Sequence, residues 1–121
     1  MIGLGTDIIK TSRIEAALSR HGDRFVHRIL SAGERVRYRP GDVHFLAKSF
    51  AAKEAVAKAL GTGFREGIGW RHIIIERDTL GAPVVRLEGA AAKRLIKIGG
   101  KRVLLSIADE YDCALAHAAV V

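Results

Sequence analysis

The chain has a single cysteine, Cys113, so no internal disulfide is available, and it is expected to suit a reducing cytosol. No nucleophile signature surrounds that thiol, which reads as packing. There are only two prolines, Pro40 and Pro83, each in turn-like surroundings, and no repeat, low-complexity run or linker divides the 121 residues. A single domain over 1–121 is expected, large enough to bury roughly two-thirds of its unfolded surface. No apolar run approaches the roughly 20 residues of a membrane span. The N-terminal MIGLG lacks the basic start and long apolar stretch of a secretory signal. These absences point to a cytoplasmic protein without a membrane partner. A zinc site is not expected, because His21, His27, His44, His72 and His117 show no ligand spacing with the one cysteine. No G-x-x-x-x-G-K-[ST] is present, GLGTDI fails the dinucleotide fingerprint at its last glycine, and Ser106 has no His–Asp partner pattern.

What is abundant is positive charge: 20 Lys and Arg against 13 Asp and Glu. The excess is concentrated between Lys10 and Arg39, where eight basic residues (Lys10, Arg13, Arg20, Arg24, Arg28, Arg35, Arg37, Arg39) face three acidic ones (Glu15, Asp23, Glu34), a net +5 of the chain's +7. Such a segment suits an acidic partner, whether nucleic acid, an anionic surface or an acidic protein. A non-catalytic basic nucleic-acid-binding domain is therefore one reading. It would need aromatic stacking platforms among the cations, and only Phe25, Tyr38 and Phe45 lie near.

The residues 2–9 read as a short apolar strand that delivers Asp7 near its end. Ser12-x-x-Glu15 is a capping-box signature for a helix ending near Gly22, Asp23 starts a further turn or two, and Ser31-x-x-Glu34 offers a second cap. After the RPGD turn, Asp42 caps a long helix from about 43 to 60, closed by Gly61. The runs 72–77 and 83–88 read as a hairpin, 89–100 as a short helix, and 101–109 with 113–121 as a final antiparallel pair. Strands segregated from helices predict an α+β fold with an antiparallel sheet and the long helix packed on it.

The long helix raises the chemical question, since an alanine-rich FAAKEAVAKAL carries Lys53, Glu54 and Lys58. Helical geometry stacks Phe50, Glu54 and Lys58 on one face. The bland reading is an i,i+4 Glu54–Lys58 pair worth a few tenths of a kcal/mol. The chemical reading takes Asp7 and Glu54 as two hard oxygen ligands for Mg²⁺ with phosphate oxygens, with Lys58 as a movable charge beside them. Gly61, Thr62 and Gly63 are expected to expose backbone N–H groups after the helix.

Three stretches in this order, GLGTDII, FLAKSFAAKEAVAKALGTGFREGI and LSIADE, resemble the holo-acyl-carrier-protein synthase family of small bacterial phosphopantetheinyl transferases, over essentially the whole chain. The resemblance implies a homotrimer with active sites between subunits. It implies transfer of 4′-phosphopantetheine from coenzyme A to a serine of apo-acyl carrier protein, for fatty acid biosynthesis, releasing adenosine 3′,5′-bisphosphate. Asp7 and Glu54 match the family's magnesium ligands, and Lys58 the lysine beside the pyrophosphate. Gly61, Thr62 and Gly63 match the coenzyme A loop, with Lys48, Phe50 and Pro83 as further coenzyme A contacts. Glu54, directly or through water, is then a candidate base for the serine proton. Arg13, Arg20, Arg24 and Arg28 match the docking surface for acyl carrier protein. The chain departs from the family at Ser49 and Ala82, where basic residues are common, and at Asp109 and Cys113. Lys48, Arg77 and Arg86 stand as alternative contacts for the 3′-phosphate.

Overall fold

The computed structural model describes residues 1–121. Strand β1 (Gly3–Lys10) runs straight into helix α1 (Thr11–His21), followed by α2 (Asp23–Ile29), α3 (Ala32–Arg37) and the long α4 (Val43–Ala59). After a glycine-rich loop come a 3-10 turn (Trp70–His72), the hairpin β2 (Ile73–Arg77) and β3 (Pro83–Leu87), α5 (Gly89–Lys97), and finally β4 (Val103–Asp109) and β5 (Cys113–Val120). The expected α+β class is what the structure shows. The strands form two antiparallel sheets, a three-stranded β1-β5-β4 and the separate hairpin β2-β3, with α4 against both.

The helix starts divide into those the local sequence sets and one that it does not. Asp42 caps α4, its Oδ1 accepting from the Phe45 amide at 3.1 Å, and Ser31 and Glu34 form the expected capping box on α3. The Ser12–Glu15 cap expected for α1 does not form. The helix begins two residues earlier, at Thr11, with Lys10 at its N-cap and no side-chain cap bond. The β4–β5 turn takes over the capping: the Thr11 amide donates to the Asp112 carbonyl at 2.9 Å and the Thr11 hydroxyl to the Tyr111 carbonyl at 3.2 Å. A strand that continues directly into a helix leaves Ser12 already inside the first turn.

Helix α4 is buried nearly all round: Leu46, Ala47, Ala51, Ala52, Lys53, Ala55, Val56, Ala57 and Ala59 are all inaccessible. A helix apolar on every side belongs in the middle of a domain. One flank packs on the three-stranded sheet, whose core face is Ala114, Ala116, Ala118 and Val120 of β5 beside Gly3 and Gly5 of β1. These residues let the helix come very close. A Cβ placed on Gly3 would lie 1.9 Å from the Ala59 carbonyl oxygen, and one on Gly5 2.0 Å from that of Ala55.

On the other flank, Lys53 is wholly buried and its ammonium uses all three protons. It donates to the Ile29 carbonyl (2.6 Å), Glu34 Oε1 (2.6 Å) and the Trp70 carbonyl (3.2 Å). Glu34 also accepts from the Ser31 amide through Oε1 (2.8 Å) and from the Ile75 amide through Oε2 (2.7 Å). Burial pulls the Lys53 pKa below the ordinary lysine value, and Glu34 opposes that shift. With every donor and acceptor matched, the pair survives its desolvation cost. It also closes the free edge of β2, where Glu34 takes the Ile75 amide and Arg37 donates to the Ile75 carbonyl. Side chains of α3 therefore end this sheet where another strand would otherwise pair.

The close approach of β1 to α4 predicts that Gly5→Ala costs about 3 kcal/mol or more, since the added methyl meets backbone rather than a movable side chain. Urea unfolding measures this. A change below 1 kcal/mol would mean that the strand and helix separate at little cost.

Candidate active site

The register of β1 brings Asp7 to α4. Asp7 pairs with Ala116 on β5, and its side chain is mostly buried, at 15% exposure. Lys58, the penultimate residue of α4, donates to Asp7 Oδ1 at 3.1 Å and to the Thr6 carbonyl at 3.0 Å. The ordinary Glu54–Lys58 pair is therefore replaced by a bond across to the strand. Glu54 sits one turn earlier on α4, half-buried. Its pKa is raised, first by burial and then by the Asp7 carboxylate, while Lys58 opposes the shift. Two carboxylates near enough to repel, with one lysine beside them, call for further positive charge.

Asp7 Oδ2 carries the clearest sign of a missing partner: it is buried and accepts no hydrogen bond. Buried carboxylate oxygens are normally satisfied. Two hard oxygen donors on rigid elements, one unbonded, fit a Mg²⁺ ion that takes its remaining ligands from phosphate and water. The chain offers no cluster of three or more His, Cys, Asp or Glu that would hold a metal by itself.

An open cleft of about 540 Å³ lies beside these residues, lined by Glu54, Lys58, Gly61, Thr62, Gly63, Phe64 and Arg65. Gly61 (φ 83°) and Gly63 (φ 60°) both adopt backbone that favours glycine. Their amides are not free as expected. Gly61 N–H donates to the Lys58 carbonyl at 2.9 Å and Gly63 N–H to that of Ala57 at 3.0 Å, closing the helix end. Of these three amides only that of Thr62 makes no backbone hydrogen bond. Arg94 of α5 donates to the Leu60 carbonyl at 2.8 Å and holds this corner from behind.

Asp7, Glu54, Lys58, Gly61, Thr62 and Gly63 are thus gathered at one place. Lys48, Phe50 and Pro83 do not line this cleft within the single chain. The Phe50 ring instead packs on Trp70, centroids 4.8 Å apart, and Pro83 begins β3 on the hairpin. The four arginines are exposed but divided by the break at Gly22. Arg24 and Arg28 of α2 share a groove with His21 and Phe25, whereas Arg13 lines another with Ile8, Lys10 and Asp112. Sequence reasoning missed Lys53, Glu34, Trp70 and Phe64. The signal for Lys53 was present, a charge in a helix apolar all round, but its partner lies 19 residues away.

Comparison with known proteins identifies the family. A sequence model described as the 4′-phosphopantetheinyl transferase superfamily matches residues 3–116, and the chain belongs to that family. Within it, the chain resembles the holo-[acyl-carrier-protein] synthases. It is 46% identical over 121 residues to that of Halorhodospira halophila, covering 98% of this chain and 96% of the relative. The crystal structure of the Neisseria meningitidis holo-[acyl-carrier-protein] synthase matches with a TM-score of 0.93 at 42% identity, covering 100% and 99% of the two chains. That of Helicobacter pylori, solved in complex with coenzyme A, matches with a TM-score of 0.86 at 28% identity over 98% and 99%. The resemblance drawn from the motifs holds, and the chain is a transferase of this family. The nucleic-acid reading finds no support: Phe25, Tyr38 and Phe45 are partly buried against the core, and Tyr38 packs on Phe45 with centroids 6.0 Å apart.

The repulsion between Asp7 and Glu54 predicts that metal-free Glu54→Gln is at least as thermally stable as the wild type. Mg²⁺ should raise the Tm of the wild type by several degrees and that of the variant hardly at all, as scanning calorimetry with and without the ion would show. Equal shifts in both would place the metal elsewhere.

Proposed function

We propose that the cleft beside Asp7, Glu54 and Lys58 is where this chain transfers 4′-phosphopantetheine from coenzyme A to a serine of apo-acyl carrier protein. The observation that carries the reading is the carboxylate pair with its unbonded Asp7 Oδ2, next to Lys58 and a glycine loop. Asp7 and Glu54 would hold Mg²⁺, which when bound supplies positive charge against the pyrophosphate oxygens. The serine Oγ attacks the phosphorus attached to pantetheine, a new O–P bond forms, and the bond from that phosphorus to the bridging oxygen breaks. Adenosine 3′,5′-bisphosphate leaves with the electron pair. Glu54 accepts the serine proton directly or through water. Lys58, half-exposed and bound only to Asp7 and a carbonyl, turns toward the leaving phosphate. Lys48, Phe50, Thr62 and Pro83 complete coenzyme A binding, with the elements of a second subunit closing the cleft.

The same reading makes the molecule a homotrimer in the cytoplasm. The outer face of β1-β5-β4 exposes Leu4, Ile8 and Leu104, the apolar area that self-association would cover. No helix is long and apolar enough to cross a membrane. Arg13, Arg20, Arg24 and Arg28 dock the acidic carrier protein.

Mass spectrometry of apo-carrier protein incubated with coenzyme A and Mg²⁺ tests the activity. A gain of the phosphopantetheine mass is expected, and no gain would reject the reading. Lys58→Met should lower kcat by about 100-fold while changing the coenzyme A KM little, because its charge acts as the leaving phosphate separates. A raised KM with unchanged kcat would make Lys58 a ground-state binder.

Docking is tested by reversing Arg24 and Arg28 to Glu. The carrier-protein KM should rise about tenfold or more at low salt, with the coenzyme A KM unchanged. The difference should shrink as salt screens exposed charge over about 8 Å. A wild-type carrier KM in the reversed variant would remove these arginines from the docking surface.

A further inference from the structure

Lys53 and Glu54 are neighbours on α4 that face opposite ways. Glu54 looks into the cleft, while Lys53 points away from it into the interior, toward Ile29, Glu34 and Trp70. Trp70 is the only tryptophan of the chain, and it is tied at both ends. Its carbonyl accepts from Lys53 Nζ, and its indole stacks on Phe64, with ring centroids 4.0 Å apart and planes 19° from parallel, while Phe50 packs on the indole as well. Phe64 follows Gly63 and itself lines the cleft with Glu54, Lys58 and Thr62. A continuous path of contacts therefore runs from the buried ion pair, through the Trp70 backbone and ring, to the wall of the cleft.

The loop from Gly61 to Gly69 has little else to hold its shape. Its own backbone bonds are the returns of Gly61 and Gly63 to α4, an Ile68–Arg65 turn and, at its end, the bonds that Gly69 exchanges with His72, and it contains Glu66 at a φ of 57°, uncommon for a residue with a side chain. Ile68 anchors the far end in the core, and between Gly63 and Gly67 the aromatic stack is the main tie to the interior.

We propose that Lys53, neutralised by Glu34, is a positioning residue for the substrate loop: it fixes Trp70, and through Trp70 it fixes Phe64 against the bound coenzyme A. This rests on the transfer reading above. It extends that reading to residues that touch neither substrate nor metal. The role differs from general stabilisation, because it predicts an effect on coenzyme A binding and on the surroundings of one ring.

The test replaces the pair without leaving a lone buried charge, using Lys53→Met with Glu34→Gln. Two readouts are taken on protein shown by calorimetry to unfold cooperatively. Acrylamide quenching of Trp70 fluorescence in the ligand-free protein is expected to rise at least twofold. The coenzyme A KM is expected to rise about tenfold with kcat within threefold of wild type, the signature of lost binding rather than lost chemistry. A folded double variant in which either readout keeps its wild-type value overturns the proposal. Should the double variant fail to fold, Phe64→Leu decides, since it leaves the ion pair and the Trp70 carbonyl untouched. A severalfold rise in coenzyme A KM supports the path, and an unchanged KM overturns it. Failure of the transfer reading looks different: the wild type would then show no turnover, while the quenching comparison still reports whether the ion pair holds Trp70.

Discussion

The structure depends on how closely β1 lies against α4. At Gly3 and Gly5 there is no room for a Cβ, because the carbonyls of Ala59 and Ala55 occupy that space. Alanines along α4 and at Ala114, Ala116 and Ala118 of β5 keep the rest of the interface equally thin. That thinness puts a strand residue, Asp7, within hydrogen-bond reach of a helix residue, Lys58, and near enough to Glu54 to raise its pKa. Larger side chains at these positions would hold the strand away and leave two unrelated carboxylates. A metal site built from two elements needs each to be rigid and both to be close, and small residues supply the second condition.

The same helix solves the problem of buried charge in two ways. Lys53 is fully enclosed and fully satisfied, with three acceptors for three protons and a carboxylate whose own oxygens are also taken up. Removing one partner of such a pair costs about 3–5 kcal/mol, because the other charge stays behind unpaired. One residue further on, Glu54 and Asp7 are left under-compensated. A group that the fold finishes belongs to the structure, and a group that the fold leaves unfinished marks the place for a ligand. The contrast between adjacent residues separates framework from site more sharply than burial alone.

Much of this was legible beforehand because it is local. The Ser31–Glu34 box, the Asp42 cap and the glycine stop at 61 each depend on residues within a few positions, and the structure has all three. The gathering of Asp7, Glu54 and Lys58 was legible as one of two chemical readings, and the motif resemblance chose between them; spacing could not, since Asp7 and Lys58 are 51 positions apart. What escaped was non-local. Ser12 looked like a cap, but the α1 N-terminus is capped by the β4–β5 turn, a hundred residues on. Glu34 was read as half of a capping box, and nothing nearby signals that the same carboxylate also neutralises Lys53 and ends the β2 edge. The Gly-Thr-Gly amides looked available because the sequence cannot say that two of them turn back to close the helix.

The central claim is that close packing of β1 on α4 creates a two-carboxylate site for a divalent ion shared with the substrate's pyrophosphate. Anomalous diffraction from crystals grown with Mn²⁺ and coenzyme A addresses it directly. The account predicts an anomalous peak between the carboxylates of Asp7 and Glu54, in contact with Asp7 Oδ2 and with a pyrophosphate oxygen. Coenzyme A bound in the cleft with the metal elsewhere, or with Asp7 Oδ2 still without a partner, would contradict it.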